Sequence, residues 1–200
     1  MCDKIINVYF IISAVFLLML SACGSQPPVP VNKYYHFPEP VVDAKEAINR
    51  SIKSVLVRRP IVNGIYNERA ILNSQLSKPL EINRYHYHLW VQSPSLTVQD
   101  SLVKYLSMSN VAEVVDRKNR IKDSVIIDSR ILRFEQIKSN VESYALVRLA
   151  FTVNKAGKFA IYEYEGKVKA KSLSMHSLVV AFGHAMDKVT AQLVNVLNKK

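Results

Sequence analysis

Cys23 is the residue of this chain best placed to do chemistry. It follows Leu20-Ser21-Ala22 and precedes Gly24-Ser25-Gln26. A thiol among small side chains is open to alkylation, and small neighbours let the backbone enter an enzyme's cleft. His86 and His88 form the second candidate group. Positions two apart on a strand point to one face, so the two imidazoles could share a metal. No third ligand is identifiable, and a closed site needs more than two. Tyr85-His86-Tyr87-His88 fits equally well as a strand of aromatic and semi-polar side chains. His176 and His184 lie eight apart and read as surface or boundary histidines. The chain has no Gly-rich phosphate loop, no nucleophile elbow and no His-Glu-x-x-His. No set of nucleophile, base and orienting group can be assembled. The sequence therefore reads as a non-enzyme, with no cofactor and no metal.

The surroundings of Cys23 give its thiol a purpose. Ile5 to Leu20 is an apolar run interrupted only by Asn7 and Ser13, with Lys4 as the basic residue ahead of it. The run is too short for the roughly 20 apolar residues of a spanning helix and fits a signal-peptide core. Leu20-Ser21-Ala22-Cys23 resembles a lipobox. That resemblance implies lipidation of Cys23, removal of residues 1–22 and anchoring by acyl chains. An uncleaved anchor, or a signal peptide with an incidental cysteine, are the alternatives. Each buried methylene adds only about 0.8 kcal/mol, so firm attachment needs several chains. A triacylated cysteine meets that need.

Cys2 leaves with the signal peptide, so no disulfide framework remains. The body must be held by packing, and its length suits one domain. The net charge of +11 stays with the mature part, because Asp3 and Lys4 cancel. Such a chain favours anionic partners. Outside the cytoplasm these are phospholipid or lipopolysaccharide head groups rather than nucleic acid. The densest basic run is Arg117-Lys118-Asn119-Arg120-Ile121-Lys122, which reads as a solvated loop or as a lipid contact.

The elements that position these residues follow from periodicity. Three prolines between Gly24 and Val31 make an extended tether reaching about 25 Å. Residues 23–32 form the lipidated tether and residues 33–200 a single domain. Short strands are expected around residues 34–37, 51–57, 71–76 and 80–90, with Pro60 and Pro79 as breaks and Asn63-Gly64 as a turn. Ser93-Pro94 opens a helix over residues 94–107, on which Val98, Leu102, Val103 and Leu106 share a face. Residues 111–115 make a short strand. Residues 125–136 are β-branched, and Ala145, Val147, Leu149, Phe151 and Val153 alternate as a half-buried strand. Lys155-Ala156-Gly157-Lys158 turns the chain into a third strand over residues 159–170. Leu178, Phe182, Met186, Val189, Leu193 and Val196 mark a terminal helix whose stripe covers the sheet or a partner. The expected fold class is α+β: two amphipathic helices packed on an antiparallel sheet. Trp90, the only tryptophan, is either a core plug or a partner-binding anchor.

The order of features is similar to that of the ABC-type transport auxiliary lipoprotein family, the paraquat-inducible protein C type. The lipobox and tether come first, then Tyr34-Tyr35-x-Phe37, Tyr87-His88-Leu89-Trp90 with Pro94, and Leu102 to Leu106 on a helix. Ile131-Leu132-Arg133-Phe134-Glu135, the alternating strand, Ala156-Gly157 and the terminal helix follow. The chain departs from the family pattern after Trp90, which is followed by Val91-Gln92-Ser93 and one proline, and across residues 38–84. The resemblance implies a non-enzymatic lipoprotein of an intermembrane lipid-transport system. It would dock a periplasmic bridge of the mammalian-cell-entry type at the outer membrane and face the periplasm. Gly24 after the cysteine, in place of the aspartate that retains lipoproteins at the inner membrane, agrees with outer-membrane sorting. The competing class is an envelope-assembly adaptor or pilot lipoprotein for an outer-membrane channel. A second copy of the chain is also among the partners these readings admit.

Replacing the thiol tests the first reading. Cys23→Ser is expected to leave an unprocessed precursor that takes up no labelled palmitate. A variant that still matures at residue 23 and is acylated would remove the lipobox from the argument.

Overall fold

The computed structural model describes residues 29–42, 52–119 and 121–198. The expected signal peptide (residues 1–22), Cys23, most of the expected tether and Arg120 of the basic run lie outside the described residues. The chain divides between Val31 and Asn32 into two units. The second unit carries eight described strands: β1 Lys33–Tyr35, β2 Ile52–Val57, β3 Ala70–Gln75, β4 Lys78–Trp90, β5 Ala112–Asp116, β6 Val125–Lys138, β7 Ser143–Lys155 and β8 Lys158–Lys169. It also carries helices α1 Pro94–Met108 and α2 Met175–Leu197, and a 3-10 turn at Gly64–Asn67.

Local chemistry fixes the boundaries. Pro94 begins α1, where a missing N–H costs nothing. Ser174 caps α2 by accepting the Ser177 N–H at 3.2 Å. Ala156 (φ 52°) and Gly157 (φ 82°) both adopt the left-handed conformation. That is the two-residue turn whose twist matches a hairpin, and it joins β7 to β8. Pro79 does not break β4 but lies inside it. It is tolerated because β4 meets a partner on its outer edge only at His88, Leu89 and Trp90, through β1.

The sheet differs from the all-antiparallel one expected from sequence. The β6–β7–β8 meander is antiparallel, as is the β3–β4 hairpin. The pairs β1–β4, β2–β5, β2–β6 and β3–β6 are parallel. The reason lies in β6. One of its edges takes β7 along its whole length. The other is shared by β2 near Val125 and β3 near Gln136. Ile61 bridges to Arg130 between them. Parallel partners need long crossovers, and nothing local in the sequence announces which strands those crossovers bring together.

Both helices lie on one face of the sheet, α2 along β7 and β8 and α1 against α2 and β5. Ala145, Val147, Leu149, Phe151 and Val153 are buried beneath them, as their alternation requires. From α2, Leu178, Phe182, Met186, Val189 and Leu193 fill the same layer. The approach is closest at Gly166 of β8, where a Cβ would stand 2.1 Å from the Ala185 carbonyl oxygen. No side chain fits between the helix backbone and that strand.

Gly166→Ala should therefore push α2 off β8 and cost about 2–3 kcal/mol, the upper part of the range for overpacked sites. Urea unfolding measures it. An unchanged midpoint would show that α2 shifts without losing contacts.

Candidate functional site

The most unusual chemistry of the body is on β6. Ile127, Ser129 and Ile131 pair with Val153, Phe151 and Leu149, all on the helix-covered face. Between Ile131 and Arg133 the register slips, so that Arg133 pairs with Arg148. Leu132 is the extra residue of a bulge, and a bulge exchanges the two faces of the strand after it. Phe134 thereby enters the helix-covered core, and Arg133 and Glu135 move to the opposite face. Without the bulge, Glu135 would point under the helices.

Glu135 is nonetheless fully buried, at 0 % exposure. Its carboxylate accepts Arg133 Nε at 2.7 Å and is also bonded by Arg133 Nη2. The Tyr66 hydroxyl, carried on the Gly64–Asn67 turn, donates to Oε2 at 3.0 Å. Burial first, and then the Glu135 charge, push the Tyr66 phenol up to about 12, so it stays protonated and donates. Arg133 is held above its ordinary value by Glu135, against the opposing effect of burial. The lone pairs of Glu135 are thus committed to fixed donors. That is the chemistry of a structural clamp tying the turn to β6, not of a base waiting for a substrate.

On the other face Phe134 joins an aromatic knot. It packs on Phe182 with centroids 5.0 Å apart and on Trp90 at 5.7 Å. Trp90 meets Phe182 edge-on at 5.3 Å, and Phe37 completes the group. The structure places Trp90 in the interior, with its indole facing α2 and β6 rather than solvent.

His86 is exposed and His88 half-buried. The Tyr35 hydroxyl and His88 Nδ1 share a hydrogen bond of 2.7 Å, and Tyr85 meets the ring edge-on. Burial first, and then Lys33, hold His88 below its usual value, so it is a neutral packing partner. Among the described residues, no group of three His, Cys, Asp or Glu side chains could hold a metal ion. Arg117, Lys118, Ile121 and Lys122 are exposed. The Asp116 carboxylate accepts the backbone N–H groups of Arg117 and Lys118 and the Asn119 amide. Those bonds, Lys118's first, hold it below the usual carboxylate range. Arg117 also pairs with Asp100 of α1, so the described residues of the run are exposed and held at their start by two aspartates.

Sequence reasoning missed the Tyr66–Glu135–Arg133 clamp. The available signal was a glutamate inside an apolar strand, two positions from an arginine. Leu132 hides its meaning by reversing the faces.

No family model and no curated protein matches this sequence. Solved structures do match in fold. A Xanthomonas campestris protein of the DUF330 family superposes with a TM-score of 0.69 at 21% identity, covering 81% of this chain and 92% of that one. An uncharacterised protein superposes with a TM-score of 0.70 at 12% identity, covering 84% and 99%. The PelC dodecamer of Paraburkholderia phytofirmans reaches only 0.47 at 10% identity, over 76% of this chain and 92% of that one. The chain is therefore related in fold, and distantly, to the DUF330 structure.

The clamp predicts an asymmetry. Arg133→Met should cost about 3 kcal/mol, because it strands a buried carboxylate, while Arg133→Met with Glu135→Leu should recover most of that loss. Denaturant titration of both variants checks it. Equal losses would mean that the ion pair matters for its own attraction.

Proposed function

We propose that this protein is a non-enzymatic, lipid-anchored adaptor of a bacterial envelope assembly. The observation that carries the reading is the lipidation motif at Cys23, placed ten residues ahead of Lys33, where a separate body begins its first strand. The body supports the reading by what its polar groups do. Glu135, Arg133, Tyr66 and His88 are spent on internal contacts. The body also offers what an adaptor needs, namely sheet edges with backbone groups still to pair. Among the described residues, β8 is bonded only to β7, and β4 is open on one side from Lys78 to Tyr87.

An adaptor fits two assemblies. In one, the body receives a periplasmic bridging protein of the mammalian-cell-entry type and serves intermembrane lipid transport at the outer membrane, as the family resemblance implies. In the other, it escorts or seats an outer-membrane channel. The fold is compatible with both, and an adaptor for a channel needs no lipid-handling cavity. The apolar depression lined by Ile52, Val153, Phe159, Tyr162 and Leu197 measures about 380 Å³ and is open to solvent. Such a depression suits docking better than lipid carriage.

Crosslinking of the tagged, full-length protein in its native envelope decides between them. Capture of a mammalian-cell-entry-type protein or its permease is the outcome expected of the transport assembly. Capture of a barrel or secretin, with no transporter component, establishes the channel adaptor. Saturable turnover of an envelope substrate, lost on one substitution in a cleft, would overturn both.

A further inference from the structure

We infer that one rim of the body is a membrane-contact surface that rests on an anionic phospholipid leaflet. Five strand ends meet there. β3 turns into β4 at Leu76 and Ser77, β6 turns into β7 through residues 139–142, and β8 leaves through residues 170–174 toward α2. Backbone bonds hold the turns in one row: Leu76 N–H to Lys138 O at 2.8 Å, Ser139 N–H to Glu142 O at 2.8 Å and Ala170 N–H to Ser143 O at 2.8 Å. At the spacing of neighbouring strands the row is about 20 Å long.

This rim exposes apolar side chains at its turns. Leu80 is 97 % exposed, Val141 79 %, Leu173 57 % and Leu76 50 %. None of them packs on the core; Leu76, Val141 and Leu173 stand on three separate connections along the row, and Leu80 is the third residue of β4. Lysines surround them: Lys78, Lys138, Lys167, Lys169 and Lys171. The carboxylates present are Glu81, paired with Lys78 at 3.7 Å, and Glu142, paired with Lys169 at 2.5 Å. Tyrosines sit just behind. Lys138 lies over Tyr85 at 4.6 Å and Lys167 over Tyr144 at 4.8 Å. Aliphatic tips, then lysines, then tyrosines is the layering of an interfacial contact. Apolar groups enter the acyl boundary, ammonium groups meet phosphates, and phenols sit at head-group depth.

The direction of β1 is compatible with an anchor on the rim's side. β1 runs parallel to β4, with Lys33 beside His88. The N-terminal end of β1 is therefore the end directed toward the start of β4, at the rim. Lys78 precedes His88 by ten residues, and Cys23 precedes Lys33 by ten. At about 3.3 Å per extended residue, a tether of that length reaches as far as the rim. That part of the argument rests on the anchored reading of Cys23. The lipid chains would hold the body near the leaflet, and the rim would fix which end faces it.

The test uses a chain beginning at Gly24, which has no acyl group. Every core residue lies between Ile52 and Leu197, inside the unit that begins at Asn32, so this chain keeps the whole fold. Co-sedimentation is measured with vesicles of equal phosphatidylglycerol and phosphatidylcholine, and with phosphatidylcholine alone. Binding to the anionic vesicles is expected, at least about tenfold above the neutral ones and falling in high salt. L80D with V141D should lower it about tenfold at an unchanged melting temperature. In L80W, the added indole should shift to shorter emission wavelength on the anionic vesicles, against the constant signal of buried Trp90. Failure of the folded chain to bind anionic vesicles, equal binding to neutral ones, full binding by the double variant, or bound L80W with unshifted emission would each overturn the rim. Because Cys23 is absent, these failures leave the anchored reading standing, and Cys23→Ser labelling tests that separately.

Discussion

A single inserted residue, Leu132, governs how β6 divides its side chains between two environments. Before it, Ile127 and Ile131 enter the helix-covered layer. After it, the same parity carries Arg133 and Glu135, and a carboxylate under α2 would be an unpaired buried charge costing several kcal/mol. The bulge exchanges the faces at the point where the sequence changes character. Phe134 can then meet Phe182 at 5.0 Å and Trp90 at 5.7 Å, which joins β6 to α2 and to the end of β4. Glu135 can meet Tyr66 on the opposite side, which joins β6 to the turn between β2 and β3. Two long-range connections of the body thus pass through adjacent residues of one strand.

The same strand explains why the sheet is mixed. β6 is long enough for two shorter strands to share its second edge, and the bridge of Ile61 to Arg130 fills the gap between them. This arrangement covers β6 at both edges and, among the described residues, leaves β4, β5 and β8 each with an edge lacking a partner strand over most or all of its length. Exposed edges invite pairing, and charge restrains it. β8 carries Lys158, Glu163, Glu165, Lys167 and Lys169 as exposed side chains. β4 begins with the bonded pair Lys78 and Glu81, and Pro79 lies between them. Pairing with a neighbour therefore has to be specific, as the proposed adaptor role would require.

The elements legible in the sequence were those whose signal is local. The alternation from Ala145 to Val153, the turn at Ala156-Gly157, the Ser93-Pro94 entry and the stripe from Leu178 to Val196 each specify an element without reference to the rest of the chain. The partners of β1, β2 and β3 were not legible. A parallel pairing depends on crossovers tens of residues long, and β-branched strands accept either direction. The clamp was hidden for a related reason. Strict alternation over residues 125–136 places Arg133 with Ile131, and only the pairing with β7 shows the slip. Trp90 was ambiguous because a tryptophan serves a core and an interface by the same property, its large apolar area. The neighbours that bury it, Phe37, Phe134 and Phe182, come from three distant parts of the chain.

The rim and the clamp are consequences of one division of labour along β6. From Phe134 to Ile137 it is buried on both faces, and the polar groups there, Glu135 and Gln136, are bonded to neighbours within the body. At Lys138 the strand ends, the covering elements end with it, and side chains that find no core remain outside. An apolar tip such as Leu80 is unfavourable in water and yields nothing to the core, so its position is explained by an environment met outside the chain. Lysines beside it narrow that environment to one that is apolar and negatively charged within a few ångströms. A leaflet of anionic lipid has that profile, and the acyl anchor proposed at Cys23 would keep one near. On that proposal anchor and rim would act in sequence. The anchor would raise the local concentration of the body at the surface, and a contact too weak to hold a free protein would become sufficient to orient a tethered one. A body oriented in this way would present the open edges of β4 and β8 at a fixed angle to the membrane, so a partner could meet them without a search over rotations.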